Sequence, residues 1–336
     1  MNTPTPVPSR FNAQRVEEPG GPLVAVELPM PALAEGQVLV RVLASGVNPL
    51  DLKIRAGQAA HARQPLPAVP GIDMAGVVAR VGPGVTGWQV GDEVYAMAGG
   101  VGGLQGSLAE WMAVDARLLA RRPRLLSVRE AAALPLATIT AWEGLVDRAR
   151  VYAGQTVLVQ GGAGGVGHVA VQLAVARGAR VFATVAAEDF ALVVGWGATP
   201  IDFRRPLDEA IARHTGGAGF DIVFDTVGGA VLDASFTAVR RDGGHVVSIL
   251  GWGTHSLAPL SFRGATYSGV FTLQPLISGQ GRERHAAILG QMAALADAGR
   301  LKPRLDARRF TLQNAAAAHD HLASGAARGK VVVEVA

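Results

Sequence analysis

Seven residues, Gly161-Gly162-Ala163-Gly164-Gly165-Val166-Gly167, follow directly on the β-branched run Thr156 to Gln160 and lead into the helical stretch HVAVQLAVARGA. Glycines at 162, 164 and 167 give the spacing G-x-G-x-x-G between a strand and a helix, which is the arrangement that cradles a pyrophosphate. Gly162 permits the tight turn, Gly164 lets backbone amides approach the phosphates, and Gly167 allows the helix to pack on the strand, with the positive helix end facing the negative charge. Ala163, Gly165 and Val166 complete the cradle. An ordinary strand-to-helix turn is the bland alternative, but Arg180 to Val185 begins where the second parallel strand of a βαβ unit must begin. A dinucleotide is therefore the expected ligand.

The choice between NAD and NADP turns on the end of that second strand, where an acid would hold the ribose 2′-hydroxyl and repel a 2′-phosphate. The strand ends Phe182-Ala183-Thr184-Val185 with no acid, and Glu188 and Asp189 read as first-turn acids of the next helix. NADPH is the expected cofactor, with NADH as the alternative. Arg204 and Arg205 can clamp a phosphate only if the fold brings them near Thr184.

Other chemistry is excluded by composition. The chain has 336 residues and no cysteine, which removes disulfides, thiol catalysis, iron-sulfur clusters and thiolate zinc sites. Eight histidines form no three-ligand pattern, so no metal site is expected; His319 and His321 are two apart and cannot share a helix face. A net charge of +4 is too small for a nucleic-acid footprint. The longest apolar stretch, Val166 to Ala187, is interrupted by Arg177 and Arg180, so no membrane span is expected. Met1 to Arg10, rich in Pro and Thr, reads as a frayed lead-in rather than a signal or anchor. These features describe a soluble, cytoplasmic protein.

The elements that position the glycine loop fall into two groups. In the first third, Val38 to Gly46 and Met74 to Val81 read as short strands, and Pro49, Pro65, Pro67, Pro70 and Pro83 leave room only for short strands and irregular connections. A compact, partly open β-barrel fits that pattern. At about Ser127 an alanine-rich helix begins, after which strands and helices alternate: Thr156 to Gln160, Arg180 to Val185, Thr199 to Asp202, Phe220 to Thr226, a helix through Val239, and His245 to Leu250. That order predicts an α/β, doubly wound parallel sheet of the Rossmann kind. A helix over Arg284 to Ala298 and a terminal strand over Lys330 to Val335 follow, the strand returning to the first domain. The expected division is 1–126 with 270–336 as one domain and 127–269 as the dinucleotide-binding domain.

Several separated segments resemble one family. These are Gly46-Val47-Asn48-Pro49-Leu50-Asp51-Leu52-Lys53-Ile54-Arg55-Ala56-Gly57, Pro70-Gly71-Ile72-Asp73-Met74-Ala75-Gly76, Val90-Gly91-Asp92-Glu93-Val94-Tyr95, the glycine loop, and Gly329-Lys330-Val331-Val332-Val333. In this order they resemble the zinc-independent branch of the medium-chain dehydrogenase/reductase superfamily, which holds the quinone oxidoreductases and the alkenal or enone reductases. The resemblance implies a GroES-like first domain, NADPH-dependent reduction of a quinone or an α,β-unsaturated carbonyl, a small-molecule substrate and a homodimer. An alcohol dehydrogenase acting on an alcohol or aldehyde, and a nucleotide-binding sensor without turnover, are the alternatives.

The resemblance also assigns residues. Asn48-Pro49 stand where the zinc enzymes carry their first ligand segment, and Gly71-Ile72-Asp73 stand where those enzymes have Gly-His-Glu; isoleucine cannot ligate zinc. Without a metal, hydride transfer relies on positioning and on donors aimed at the developing oxyanion, for which Asn48 and Lys53 are the candidates. Lys53 is one of only three lysines among 31 basic residues; a solvated surface lysine is the bland reading. Asp51 orients Lys53 and meets substrate, or caps the turn. Asn48 also contacts cofactor, together with Thr138, Thr184, Asp225, Thr226, Val227, Ser248, Leu250, Gly251, Phe271, Thr272 and Lys330. Trp142 and Leu104 are expected at the substrate, Leu104 in the glycine-rich loop Gly99 to Gly106, which reads either as a mobile lid or as a long turn.

Overall fold

The computed structural model describes residues 7–336, so most of the Pro- and Thr-rich lead-in lies outside the described residues. The chain divides into two compact units, 1–136 with 273–299 and 303–336, and 137–272 with 300–302. In chain order the strands are β1 (Arg10–Val16), β2 (Leu23–Pro29), β3 (Gln37–Val47), β4 (Asp73–Val81), β5 (Glu93–Met97), β6 (Trp111–Asp115) and β7 (Ala120–Arg121), then β8 (Thr156–Gln160), β9 (Arg180–Val185), β10 (Thr199–Asp202), β11 (Ile222–Asp225), β12 (His245–Ser248) and β13 (Thr266–Gly269), and last β14 (Phe310–Thr311) and β15 (Val331–Glu334).

The first unit is built around β3. This long strand pairs antiparallel with β4 along one edge, while its other edge is shared by β6 over Gln37 to Arg41 and by β15 over Ala44 to Val47. The full order is β14-β15-β3-β4-β5-β7, with β6 on β3. Register shifts at Leu39/Val40 and Val42/Ala44 bend β3, as bulges do, so one strand can serve three partners in a curved sheet. Glycine permits the closest approach: a Cβ on Gly46 would sit inside the Ala132 carbonyl. β1 and β2 form a separate two-stranded sheet. The terminal strand returns to β3, as the sequence indicates.

The second unit is a six-stranded, all-parallel sheet in the order β10-β9-β8-β11-β12-β13. Its strands are apolar on both faces, Val157, Leu158 and Val159 being fully buried, because helices must cover each side of a parallel sheet. Leu158, Phe182, Phe220, Val223, Phe236 and Val246 form the core on one side. The winding reverses between β8 and β11, and ligands of such sheets bind at the carboxyl ends beside that reversal. β13, with the sequence Thr-Tyr-Ser-Gly, lacks a β-branched run and was not legible as a strand.

The alanine-rich helix expected from Ser127 onward is broken. Ser127 opens it with a capping pair, its N–H donating to Glu130 Oε2 at 2.8 Å and its Oγ accepting from the Glu130 N–H at 3.2 Å. Helix Val128–Ala132 then stops, Pro135 starts a second helix ending at Trp142, and a π-helical turn covers Glu143–Arg148. Proline has no N–H and clashes with a preceding turn, so the break falls before it. The change of rhythm at Ser127 lies ahead of the division between the units at 136/137, since helix Val128–Ala132 packs on β3, β4 and β15.

Candidate functional site

In the first unit the carboxyl end of β3 runs into the short helix Pro49–Arg55, with Asn48 as its N-cap residue. The backbone N–H of Asn48 donates to Asp51 Oδ2 at 2.8 Å, so Asp51 closes the first turn. From β4, Asp73 accepts a hydrogen bond from Asn48 Nδ2 at 2.9 Å and a second from the Leu136 N–H at 2.8 Å. The residue before β15, Lys330, donates its ammonium to Asn48 Oδ1 and lies 4.0 Å from Asp73 Oδ2. Three sequence-distant segments thus meet at one carboxamide. Asn48, Asp51, Asp73 and Lys330 are all at most 5% exposed.

Burial without enough counter-charge reshapes these groups. Desolvation raises the Asp51 carboxyl to about 7, reinforced by the negative charge of Asp73 and opposed by the Asn48 N–H and Lys330. It raises Asp73 to about 6, opposed chiefly by Lys330 and the Asn48 amide. The Lys330 ammonium is pushed down by burial, and both carboxylates pull it back. One oxygen of Asp51, Oδ1, has no hydrogen-bond partner among the described residues. Both carboxyls are thus pushed above the usual carboxylate range by burial, Asp51 further than Asp73.

The donors and substrate residues named from the sequence are separated by this arrangement. Lys53 is exposed on helix Pro49–Arg55, whereas Asp51 faces inward. The charges acting on Asp51 are those of Asp73 and Lys330, and its Oδ2 accepts from the Asn48 N–H, so its partners are those of a capping box and do not include Lys53. Leu104 is half-buried in a loop that is pinned rather than free. Gly102 N donates to Ala62 O at 2.9 Å, Gly103 N to Gln64 Oε1 at 2.9 Å, and Gly106 N to Val69 O at 2.9 Å. Side chains on Gly99, Gly100 or Gly106 would collide with backbone of residues 105, 71 and 70. Those glycines serve close packing, which favours the long-turn reading of the loop over the lid.

In the second unit the glycine loop joins β8 to helix Gly167–Ala176. The turn residue with left-handed backbone is Gly161, φ +71°, not Gly162, whose Cβ would meet that of Ala183 on β9 at 2.5 Å. A Cβ on Gly167 would fall inside the Gly161 carbonyl, so the helix start packs against the turn as expected. Around Gly164 the only near atom is Gly161 O, at 3.2 Å from a would-be Cβ, which leaves its outer side open to phosphate. Thr184 stands behind the loop: its hydroxyl accepts from Gly161 N at 3.0 Å and donates to Gln160 Oε1 at 2.8 Å, and its carbonyl accepts from Gly162 N at 3.0 Å. Its place is to shape the loop.

The same holds for Asp225 and Ser248. Asp225, fully buried, accepts from Val227 N and Gly228 N at 3.0 Å each and from Ser248 Oγ at 2.7 Å, while Ser248 Oγ accepts from Leu250 N at 3.0 Å. These two side chains fix the loops after β11 and β12 and leave Val227 (47% exposed), Leu250 and Gly251 to present a surface. Thr226 Oγ1 donates to Gln160 O at 2.7 Å. Phe271 is 42% exposed and Thr272 is buried. Thr138 is fully buried with a hydroxyl that has no partner among the described residues, and Trp142 is half-buried one turn further along the same helix. Arg204, after β10, reaches Glu188 at 3.7 Å and Asp202 at 3.5 Å, beside the end of β9, since Asp202 pairs with Val185. Glu188 and Asp189 do lie in the first turn, Ala187–Asp189.

Comparison with known proteins assigns the family. Residues 34–124 match the alcohol dehydrogenase GroES-like domain, and residues 196–333 match a domain described as zinc-binding dehydrogenase. The NADPH-dependent alkenal/one oxidoreductase, chloroplastic, of Arabidopsis thaliana is 36% identical over 312 residues, covering 90% of this chain and 73% of that protein. Quinone oxidoreductase of Homo sapiens is 30% identical over 332 residues, covering 96% and 97%. The crystal structure of an alcohol dehydrogenase superfamily protein from Novosphingobium aromaticivorans superposes with a TM-score of 0.95 at 56% identity, covering 97% of this chain and 100% of that one. The chain belongs to the zinc-independent branch of the medium-chain dehydrogenase/reductase superfamily.

Two groups are implied by this family, and the residues fit them differently. For zinc they do not fit: Asn48 and Ile72 occupy the ligand segments, and among the described residues no three His, Cys, Asp or Glu side chains are placed to hold a metal. For a nicotinamide dinucleotide they fit: the open side of Gly164, the close-packed Gly167 and the unpartnered hydroxyl of Thr138 suit a phosphate-bearing, hydrogen-bonding ligand. Asp73 was missed as a member of the medium-chain site. An acid opening the apolar run MAGVVARV was the available signal, because a carboxylate on a buried strand needs a partner. No helix among the described residues is long and apolar enough to cross a membrane.

Proposed function

We propose that this chain is an NADPH-dependent, zinc-independent reductase of quinones or α,β-unsaturated carbonyls. The observation that carries the reading is the exchange of a metal-holding segment for hydrogen-bonding ones: Asn48 tied to Asp73 and Lys330, and the exposed ammonium of Lys53 on the helix that Asn48 caps. The glycine loop, Thr138, Val227, Leu250, Gly251, Phe271 and Thr272 would hold the cofactor, which supplies the hydride when bound. Lys53 and the remaining Nδ2 hydrogen of Asn48 would stabilise the substrate oxygen as negative charge gathers on it. The proton that completes the reduction would come from Lys53 or from water.

The preference for NADPH rests on Arg204, an exposed guanidinium beside the end of β9, where no acid stands in the strand itself. A homodimer is part of the same reading. β13 is an edge of the parallel sheet, and Trp252 (56% exposed), Leu257 (57%) and Phe262 (78%) lie in the segment that leads to it, so a second copy would cover both a free strand edge and apolar surface. Sedimentation velocity checks it. A cytoplasmic location is proposed with these and is checked by cell fractionation.

The test of function is loss of nicotinamide absorbance against a panel of quinones and enones, run with NADPH and with NADH. Oxidation of NADPH by at least one acceptor is expected, and Lys53→Met should lower turnover about tenfold or more. Stoichiometric zinc required for turnover would overturn the reading in favour of an alcohol dehydrogenase. Cofactor binding without oxidation by any acceptor would make the chain a sensor.

A further inference from the structure

Asn48 is held from both ends. Its Oδ1 accepts from an ammonium, which can only donate, and its Nδ2 donates to a carboxylate at 2.9 Å. A flipped carboxamide would set its NH2 against the Lys330 ammonium and its oxygen against Asp73, so only one orientation is chemically allowed. That orientation uses one Nδ2 hydrogen and leaves the other in a fixed direction.

The two clamping residues are themselves fixed. Asp73 Oδ1 is taken by the Leu136 N–H, and the Asp73 carbonyl accepts from Ser107 Oγ at 2.8 Å. Ser107 is in turn bonded at 2.7 Å to Ser45 on β3, three residues before Asn48. Lys330 is fully enclosed, and Asp306 N donates to its backbone carbonyl at 3.0 Å. Such outlay of buried charge is hard to explain as stabilisation, because an apolar replacement of similar volume commonly stabilises as well or better.

We infer that Asp73 and Lys330 are positioning residues that lock the Asn48 carboxamide in one orientation, so that its free Nδ2 hydrogen stays aimed at the ligand. The inference rests on the reductase reading for what that ligand is, but not for the clamp itself. Lys330 thus acts through Asn48, and its role differs from that of a direct cofactor contact. The charged groups facing the clamp are Asp51, from the helix that Asn48 caps, and the two clamp residues themselves.

Two measurements test it. In wild-type protein with selectively labelled asparagine, the Asn48 side-chain amide protons should exchange slowly with solvent, and one of them should shift as Asp73, raised to about 6 by burial, takes up its proton, a shift that Asp73→Asn should remove. Asn48 amide protons that exchange as fast as those of an exposed asparagine, or that titrate identically in wild type and in Asp73→Asn, would overturn the clamp, whatever the enzyme reduces. In steady-state kinetics, Asp73→Asn should lower kcat about tenfold or more, yet change it less than about twofold when introduced into Asn48→Ala, because residues acting as one unit are not additive. Lys330→Arg, which keeps the donor, should retain more activity than Lys330→Met. An equal loss from Asp73→Asn in both backgrounds would make Asp73 a structural residue only. If no acceptor is reduced by wild-type protein, the reductase reading falls while the amide resonances still decide the clamp.

Discussion

The two units solve their binding problems with opposite materials. In the second unit the work is done by backbone: Gly161 supplies the turn, Gly164 the open approach and Gly167 the close contact, while Thr184, Asp225 and Ser248 spend their side chains on holding loops. In the first unit the work is done by side chains, with two acids and one base buried around a single carboxamide. A backbone cradle works through geometry and is sensitive to added atoms. A charged cluster is sensitive to the loss of any one charge. Substitutions should therefore fail for steric reasons in one unit and for electrostatic reasons in the other.

The largest effect is expected at Lys330. Lys330→Met keeps the volume but leaves Asp51 and Asp73 without the buried cation that faces them, and stranding a buried charge costs about 3–5 kcal/mol. Urea unfolding at pH 8 should show that loss, and at pH 5, where the acids are protonated, most of it should disappear. A loss of equal size at both pH values would mean that Lys330 contributes packing, not charge, and the contrast between the units would collapse.

Next comes a steric pair in the glycine loop. Gly167→Ala forces a methyl into the Gly161 carbonyl and should cost roughly 1–3 kcal/mol as an overpacked contact. Gly164→Ala meets only Gly161 O at 3.2 Å, so it should fold normally yet weaken dinucleotide binding about tenfold by blocking the phosphate approach. Calorimetric unfolding and cofactor titration separate the two. Identical behaviour of both variants would remove the distinction between packing glycine and approach glycine.

This contrast also explains what could be read from sequence. The parallel sheet and its glycine loop are local: β8, the loop, helix Gly167–Ala176 and β9 are contiguous, so period and glycine spacing carry them. Even there the turn glycine was placed one residue late, because only φ separates Gly161 from Gly162. The cluster of the first unit is not local. Asn48 and Lys330 are 282 residues apart, Asn48 and Asp73 are 25 apart, and no spacing rule links them. Asn48 and Lys330 come separately through resemblance, and Asp73 enters only as part of the Gly71-Ile72-Asp73 segment, with no role at the site. Thr184, Asp225 and Ser248 are named as cofactor contacts through the resemblance, and what no spacing shows is that each also spends hydrogen bonds on holding its own loops.

A smaller effect belongs to Asp51. Its native carboxyl is raised from 3.8 to about 7, so between about pH 4 and pH 7 the folded chain keeps a proton that the unfolded chain releases. Stability therefore falls as pH rises through that window, by at most about 1.4 kcal/mol per pH unit for one group. Asp51→Asn retains an oxygen to cap the Asn48 N–H and removes the titration, so the stability lost by wild type between pH 5 and pH 8 should shrink by about 2 kcal/mol in the variant. An unchanged slope would place the proton elsewhere in the cluster.

The smallest effect tests whether charge also matters in the backbone-built unit. Arg204 has a side chain 58% exposed, and its links to Glu188 and Asp202, at 3.7 and 3.5 Å, are long and solvated, so they contribute little to stability. Its guanidinium is therefore cheap to redirect toward a 2′-phosphate, for which a bidentate fork is well suited. Arg204→Ala should raise KM for NADPH about tenfold, near 1.4 kcal/mol, while leaving the unfolding midpoint and KM for NADH unchanged. Glu188→Gln should act in the opposite direction, since it removes the anion that competes with phosphate for Arg204. If instead Glu188→Gln weakens NADH and Arg204→Ala leaves NADPH untouched, Glu188 binds a ribose hydroxyl and the cofactor preference reverses. Either result distinguishes a charge that reads ligand chemistry from the loop-holding acids around it.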